Sequence, residues 1–116
     1  MAILLLKKSY LLNSLKEVPF KDLWGSRGVF TTMRMVGKPP RLLLLKSHLN
    51  NLIYSTNKYG IKKNYLKNIL KDLIKKNSVY KGPDNLFRIA LNKKLISISI
   101  RIFFKLFFLI PYFFVE

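Results

Sequence analysis

Residues 28–60 read GVFTTMRMVGKPPRLLLLKSHLNNLIYSTNKYG, a strand, a tight connection, a second strand and a helix in succession. The opening VFTTMRMV, 29–36, is rich in β-branched and aromatic residues that suit a pleated, half-buried surface. Gly37-Lys38-Pro39-Pro40 interrupts it, because proline donates nothing to a ladder and glycine accepts a sharp reversal. Residues 41–45 return as an apolar run of strand length. Ser47 then offers a side-chain oxygen as a helix N-cap. Leu49, Leu52, Ile53 and Thr56 recur at helical spacing until Gly60 closes the segment.

Beyond Gly60 comes the clearest amphipathic pattern of the chain. Leu66, Ile69, Leu70, Leu73 and Ile74 fall on one helical face, while Lys67, Lys71, Lys75 and Lys76 lie off it. Asn64 is placed to cap this helix, and Asn77-Ser78 to end it. Tyr80-Lys81-Gly82-Pro83-Asp84-Asn85 is a cluster of turn residues. Residues 86–91 read as a strand, with Phe87, Ile89 and Leu91 on one side and Leu86, Arg88 and Ala90 on the other. Asn92-Lys93-Lys94 turns the chain, and residues 95–102 alternate isoleucine with Ser97, Ser99 and Arg101. An antiparallel hairpin is the expected outcome.

Upstream of the opening stretch, residues 2–6 form a first strand and residues 10–15 are apolar without a definite period. Residues 17–27 read as a loop punctuated by Pro19, Gly25 and Ser26, with Phe20 and Trp24 expected to pin it to the core. The sum is an α+β chain: a two-layer sandwich of an antiparallel sheet with helices packed on one face. The tail, 103–116, has neither alternation nor turn signals. Lys105 and Pro111 break it well short of the roughly 20 apolar residues that a membrane span needs. The expected division is a domain over 1–102 followed by an apolar tail, 103–116, read from a non-native frame.

A length of 116 residues bounds the chain to one domain, and 50% hydrophobic residues argue for a packed core rather than disorder. With no cysteine, disulfide frameworks and thiolate metal sites are excluded, and with His48 as the one histidine a His-based catalytic metal site is not expected. The N-terminal apolar run precedes its lysines and is shorter than the roughly 7–15 residues of a secretory h-region, so a cytoplasmic location is expected. Lys and Arg number 22 against 5 Asp and Glu, for a net charge of +17. The lysines are dispersed rather than interleaved with aromatic residues, so a solvated surface is expected and a nucleic-acid partner is not. No paired carboxylates, GxGxxG, P-loop or Ser-His-Asp set appears.

The order of segments from Gly28 to Ile100 resembles the class IV aminotransferases, the fold-type-IV pyridoxal-phosphate enzymes. That family includes the branched-chain and D-amino acid aminotransferases and aminodeoxychorismate lyase. Gly28-Val29-Phe30-Thr31-Thr32-Met33-Arg34 is similar to its G-x-F-E-T-x-R strand, and Gly37-Lys38-Pro39 follows as it does there. His48-Leu49-Asn50-Asn51-Leu52 is similar to its H-L-x-R-L helix, continued by Ser55 and Tyr59-Gly60-Ile61. Phe87-Arg88-Ile89 stands where the family has its R-[IP] strand.

The resemblance implies the small N-terminal domain of such an enzyme, one wall of the active site, with pyridoxal 5′-phosphate as cofactor. The substrate would be an amino acid or aminodeoxychorismate, and a homodimer is possible. It implies that Phe30 faces the substrate and that Arg88 binds its carboxylate through the planar guanidinium fork. Read from pattern alone, Phe30 is favoured as ordinary core, and Arg88 is as well placed on the wet face of the sheet as in a site. At the family's phosphate-binding arginine this chain has Asn51, neutral and shorter; Thr31 replaces the strand glutamate, and His48 is expected to be structural. The Schiff-base lysine of the family has no counterpart here, so the chain alone is expected to be a truncated, inactive domain. The alternative is a small basic protein that binds RNA or an anionic membrane surface.

Overall fold

The two cleanly alternating runs form the centre of the sheet in the computed structural model, which describes residues 4–103. In chain order the elements are β1 (Leu4–Leu11), β2 (Glu17–Val18), β3 (Val29–Val36), β4 (Arg41–Leu42), α1 (Leu45–Tyr59), α2 (Leu66–Asn77), β5 (Asp84–Leu91) and β6 (Leu95–Ile102). Six strands make one antiparallel sheet in the order β2-β1-β6-β5-β3-β4, with the two helices packed against it. The expected α+β sandwich is the fold. Its outermost strands are two residues long and cover only Ser9–Tyr10 of β1 and Met35–Val36 of β3.

Register decides which residues meet. Met33 pairs with Phe87, Phe87 with Ile100, and Ile89 with Ile98, so the odd positions of β3 and β5 share a face with the isoleucines of β6. Met33, Met35, Phe87, Ile89, Leu91, Ile96, Ile98 and Ile100 are at most 1% exposed, covered by Leu49 and Leu52 of α1 and Leu70 and Ile74 of α2. Burial of each large apolar side chain here contributes about 1.5–3 kcal/mol. Polar ties fix the helices to the strands. Asn77 donates from Nδ2 to the Tyr10 hydroxyl at 3.1 Å, and Thr31 Oγ1 and His48 Nδ1 share a hydrogen bond of 2.8 Å between β3 and α1.

Several local expectations are corrected. Neither helix starts on a capping side chain. α1 begins two residues before Ser47, behind Leu44 at φ 57°, and α2 begins behind Tyr65 at φ 60° rather than at Asn64. Burial of the apolar stripe outweighs the roughly 1 kcal/mol that a cap supplies. Gly60 does close α1, at φ 86°, donating to the carbonyls of Thr56 and Asn57. β1 runs on to Leu11 because β6 offers partners along its length, and residues 17–18 of the expected loop pair with it as β2. The second strand of the opening stretch shrinks from residues 41–45 to Arg41–Leu42, and β5 starts earlier, at Asp84. Residues 104–116 of the apolar tail lie outside the described residues. Among the described residues no helix is long and apolar enough to cross a membrane.

Candidate functional site

The helix-free face of the sheet carries the even positions of β3 and β5 and the serines of β6. Phe30 pairs with Ala90, Thr32 with Arg88, and Arg88 in turn with Ser99. The segment between β2 and β3 lies back over this face. Ser97 Oγ donates to the Lys21 carbonyl at 2.7 Å, the Lys21 amide donates to Ser9 Oγ at 2.9 Å, and the two serine hydroxyls share a bond of 2.7 Å. Leu23, 6% exposed, anchors the segment. Trp24 does not pin it to the core as expected: its indole is 66% exposed, and Phe20 is half-buried. The Trp24 amide donates to Asp22 Oδ1 at 2.9 Å, a turn that holds the indole in place.

Arg88 sits beneath that indole. Its guanidinium carbon is 4.2 Å from the Phe30 ring centroid and 4.7 Å from that of Trp24, and the two rings stand 6.3 Å apart at 52°. Both stacks are within cation–π range. Arg88 is only 7% exposed, and its Nη1 has no hydrogen-bond partner among the described residues. Burial, then repulsion from Arg101, lower its pKa from the ordinary arginine value, while Asp22 acts in the opposite direction. The group nevertheless remains a cation at neutral pH, as arginine does in proteins. Nη1 is thus a buried donor whose hydrogen bond is unmet among the described residues, a need that a planar anion such as a carboxylate would satisfy.

Space is available on both sides of it. A cleft of about 350 Å³ is lined by Trp24, Phe30, Arg88, Ala90 and residues 25–29, and another of about 450 Å³ by Phe20, Asp22, Trp24, Arg88, Ser99 and Arg101. Gly28 shapes the first: a Cβ there would collide with the Leu91 carbonyl oxygen.

Phe30 and Arg88 are thus brought together, and both bland readings fail: Phe30 is 57% exposed rather than core, and Arg88 is buried rather than on a wet surface. Asn51 is not brought to them. It is exposed on α1, in the layer on the other side of the sheet. The remaining motif residues hold the fold: Arg34 pairs with Asp84 at 2.6 Å, and Thr31 with His48. Sequence reasoning missed Asp22, Trp24 and Arg101 as site residues. The one available signal was the arginine in the otherwise Ser/Ile alternation of β6.

Pyridoxal phosphate does not fit the described residues. No lysine lines either cleft, and Asn51 offers no charge for a phosphate. Among the described residues no cluster of His, Asp or Glu could hold a metal ion. Comparison with known proteins finds no matching family model, curated protein or solved structure.

Proposed function

We propose that this chain is a carboxylate-binding wall of an active site of the class IV aminotransferase kind, working in a cytoplasmic setting on an amino acid or aminodeoxychorismate-like substrate. The observation that carries the reading is Arg88, buried between two aromatic rings with Nη1 unpaired. In this reading the guanidinium receives the carboxylate in a bidentate fork. Phe30 and Trp24 shut out water and strengthen that contact. Any pyridoxal-phosphate chemistry would draw its lysine and its phosphate-binding cation from outside the described residues. The chain's own residues bind and orient.

Trp24 is the one tryptophan of the chain and lies 4.7 Å from the Arg88 guanidinium, so its fluorescence reads the site. Titration of the full chain with butyrate at constant ionic strength is expected to give a saturable change with Kd on the order of millimolar. Arg88→Met abolishes it, and Lys67→Gln, on the far helix, leaves it intact. A response absent from the native chain, or unchanged in Arg88→Met, overturns the proposal. RNA binding that falls steeply with salt and survives Arg88→Met would instead favour the basic-surface alternative.

A further inference from the structure

The end of the sheet opposite the 92–94 turn gathers apolar side chains and cations that the site on the open face does not use. β3 ends, β5 begins and β6 ends there: Val36 pairs with Asp84, and Asn85 with Ile102. Two connections cap this end and touch each other. The Gly37 amide donates to the Pro83 carbonyl at 3.2 Å, and Lys38 Nζ lies 5.1 Å from the Tyr80 ring centroid. Leu43 follows along the edge of β3, its amide donating to the Arg34 carbonyl at 2.9 Å, and Leu44 comes next at φ 57°. Leu44 is 75% exposed, and Leu43, Val79 and Tyr80 are exposed with it. A leucine held in the left-handed region and left in water gains no burial to offset that conformation.

Charge surrounds these side chains. Lys38, Arg41, Lys46 and Lys81 are all exposed, and the one acidic residue within 34–46 and 79–85 is Asp84, which pairs with Arg34 at 2.6 Å. The chain also leaves the sheet here. The Arg34 guanidinium carbon lies 4.7 Å from the Phe103 ring centroid, and the sequence runs on as FKLFFLIPYFFVE, 104–116. That run is too short for a span and apolar enough to enter the boundary between headgroups and acyl chains. An apolar insertion and a basic patch together supply the two signals that stable attachment to a bilayer requires. Nucleic acid would use the cations and leave Leu44 and the apolar run in water. We infer that this end of the sheet docks on an anionic lipid surface, with Leu44 and Tyr80 at headgroup level and Lys38, Arg41, Lys46 and Lys81 against the negative charge. The inference takes the apolar run as native and does not rest on the carboxylate-binding reading of Arg88.

The test is co-sedimentation of the full chain with phosphatidylcholine vesicles, with and without about 30% phosphatidylserine, at physiological ionic strength. Binding is expected on the anionic vesicles and is about tenfold or more weaker on the neutral ones. Each lysine close to such a surface contributes about fivefold, so Lys38→Gln/Lys81→Gln lowers affinity about twentyfold. Lys62→Gln/Lys67→Gln removes the same charge near the opposite end, where Lys63 reaches the carbonyl of Asn13 just beyond β1, and changes affinity less than about twofold. Leu44→Asn keeps the charge and suits a left-handed backbone, and it lowers affinity about fivefold. Phe107→Asn/Phe108→Asn in the full chain lowers it about tenfold and preserves the order of the other variants. Circular dichroism checks that each variant folds.

Equal losses in the two lysine pairs would reduce the binding to general attraction between a +17 chain and any anionic surface, and overturn the docking surface. Binding indifferent to Leu44→Asn overturns it as well, because charge alone would then carry the contact. An RNA oligonucleotide that displaces the vesicles and needs Lys38 and Lys81 but not Leu44 would assign the patch to nucleic acid instead. Absence of vesicle binding, with a concentration-dependent dimer in sedimentation velocity that Leu44→Asn dissolves, would assign it to a second copy of the chain.

Discussion

The two faces of the sheet are made by the same strands and have opposite chemistry. On the helix face of β5 and β6, Phe87, Ile89, Ile96, Ile98 and Ile100 are 0% exposed and belong to one apolar cluster. On the other face the intervening positions carry Arg88, Ser97, Ser99 and Arg101, and the loop above them supplies Asp22 and Trp24. One face is closed by packing. The other is closed by a loop and leaves a buried cation whose Nη1 is unpaired among the described residues. Stability is therefore concentrated on the first face and the proposed recognition on the second, and substitutions should separate the two.

The largest effect is expected from Phe87→Ala. The side chain is fully buried between Met33 and Ile100, so truncation opens a cavity and costs about 3–5 kcal/mol, read as a lower midpoint in urea denaturation. Gly28→Ala comes next. Its Cβ would meet the Leu91 carbonyl oxygen, and the start of β3 must shift at a cost of about 1–3 kcal/mol. That shift also moves Phe30, so butyrate binding weakens together with stability. The two readouts should fall in parallel for this variant, because a single backbone displacement disturbs both faces of β3.

Arg88→Met should uncouple them. A base whose pKa is lowered by folding binds fewer protons in the native state than in the unfolded one. Its charge therefore costs stability at neutral pH, and the cost is relieved only as pH rises through the lowered pKa in the alkaline range. Removing the charge returns that cost but forfeits two cation–π contacts of about 0.5–1 kcal/mol each. The net change expected is under about 1 kcal/mol in urea denaturation, with carboxylate binding lost outright. A loss of several kcal/mol would make Arg88 a structural cation and its cleft incidental.

The closed face was readable in the sequence because its signals are local. The isoleucine alternation of β6, the stripe of α2 and the turn at 92–94 each need only their neighbours in the chain, and together they specify the sandwich. The open face was not, because almost every feature of it is non-local. β3 carries large apolar residues on both sides, and Arg34, which shares the Phe30 side, is the one local sign that this side faces out; pairing with β5, some sixty residues on, decides it. Trp24 looks like an anchor by size, yet Leu23 takes that place, since Ser9, Ser97 and Lys21 fix the height of the loop over the sheet. The helix starts escaped for another reason. Leu44 and Tyr65 occupy left-handed positions that no propensity assigns to them, and packing further along each helix holds them there.

Phe30→Leu is the smallest change and the sharpest test of how the open face works. Leucine keeps apolar bulk over the guanidinium but removes the π-face that Arg88 contacts at 4.2 Å. If the ring holds the cation, stability falls by about 0.5–1 kcal/mol. The Arg88 head then gains freedom, and butyrate affinity drops about threefold. If the ring serves only to exclude water, both quantities stay within error of the native chain, because Phe30 is already 57% exposed and its burial contributes little. Phe87→Leu on the opposite face gives the reference. There the same chemical change leaves a void in a close-packed layer, so its cost of about 1 kcal/mol or more comes from packing alone and leaves butyrate binding untouched. Only a variant that shifts binding while costing less than its counterpart across the sheet shows that the aromatic ring orders the cation.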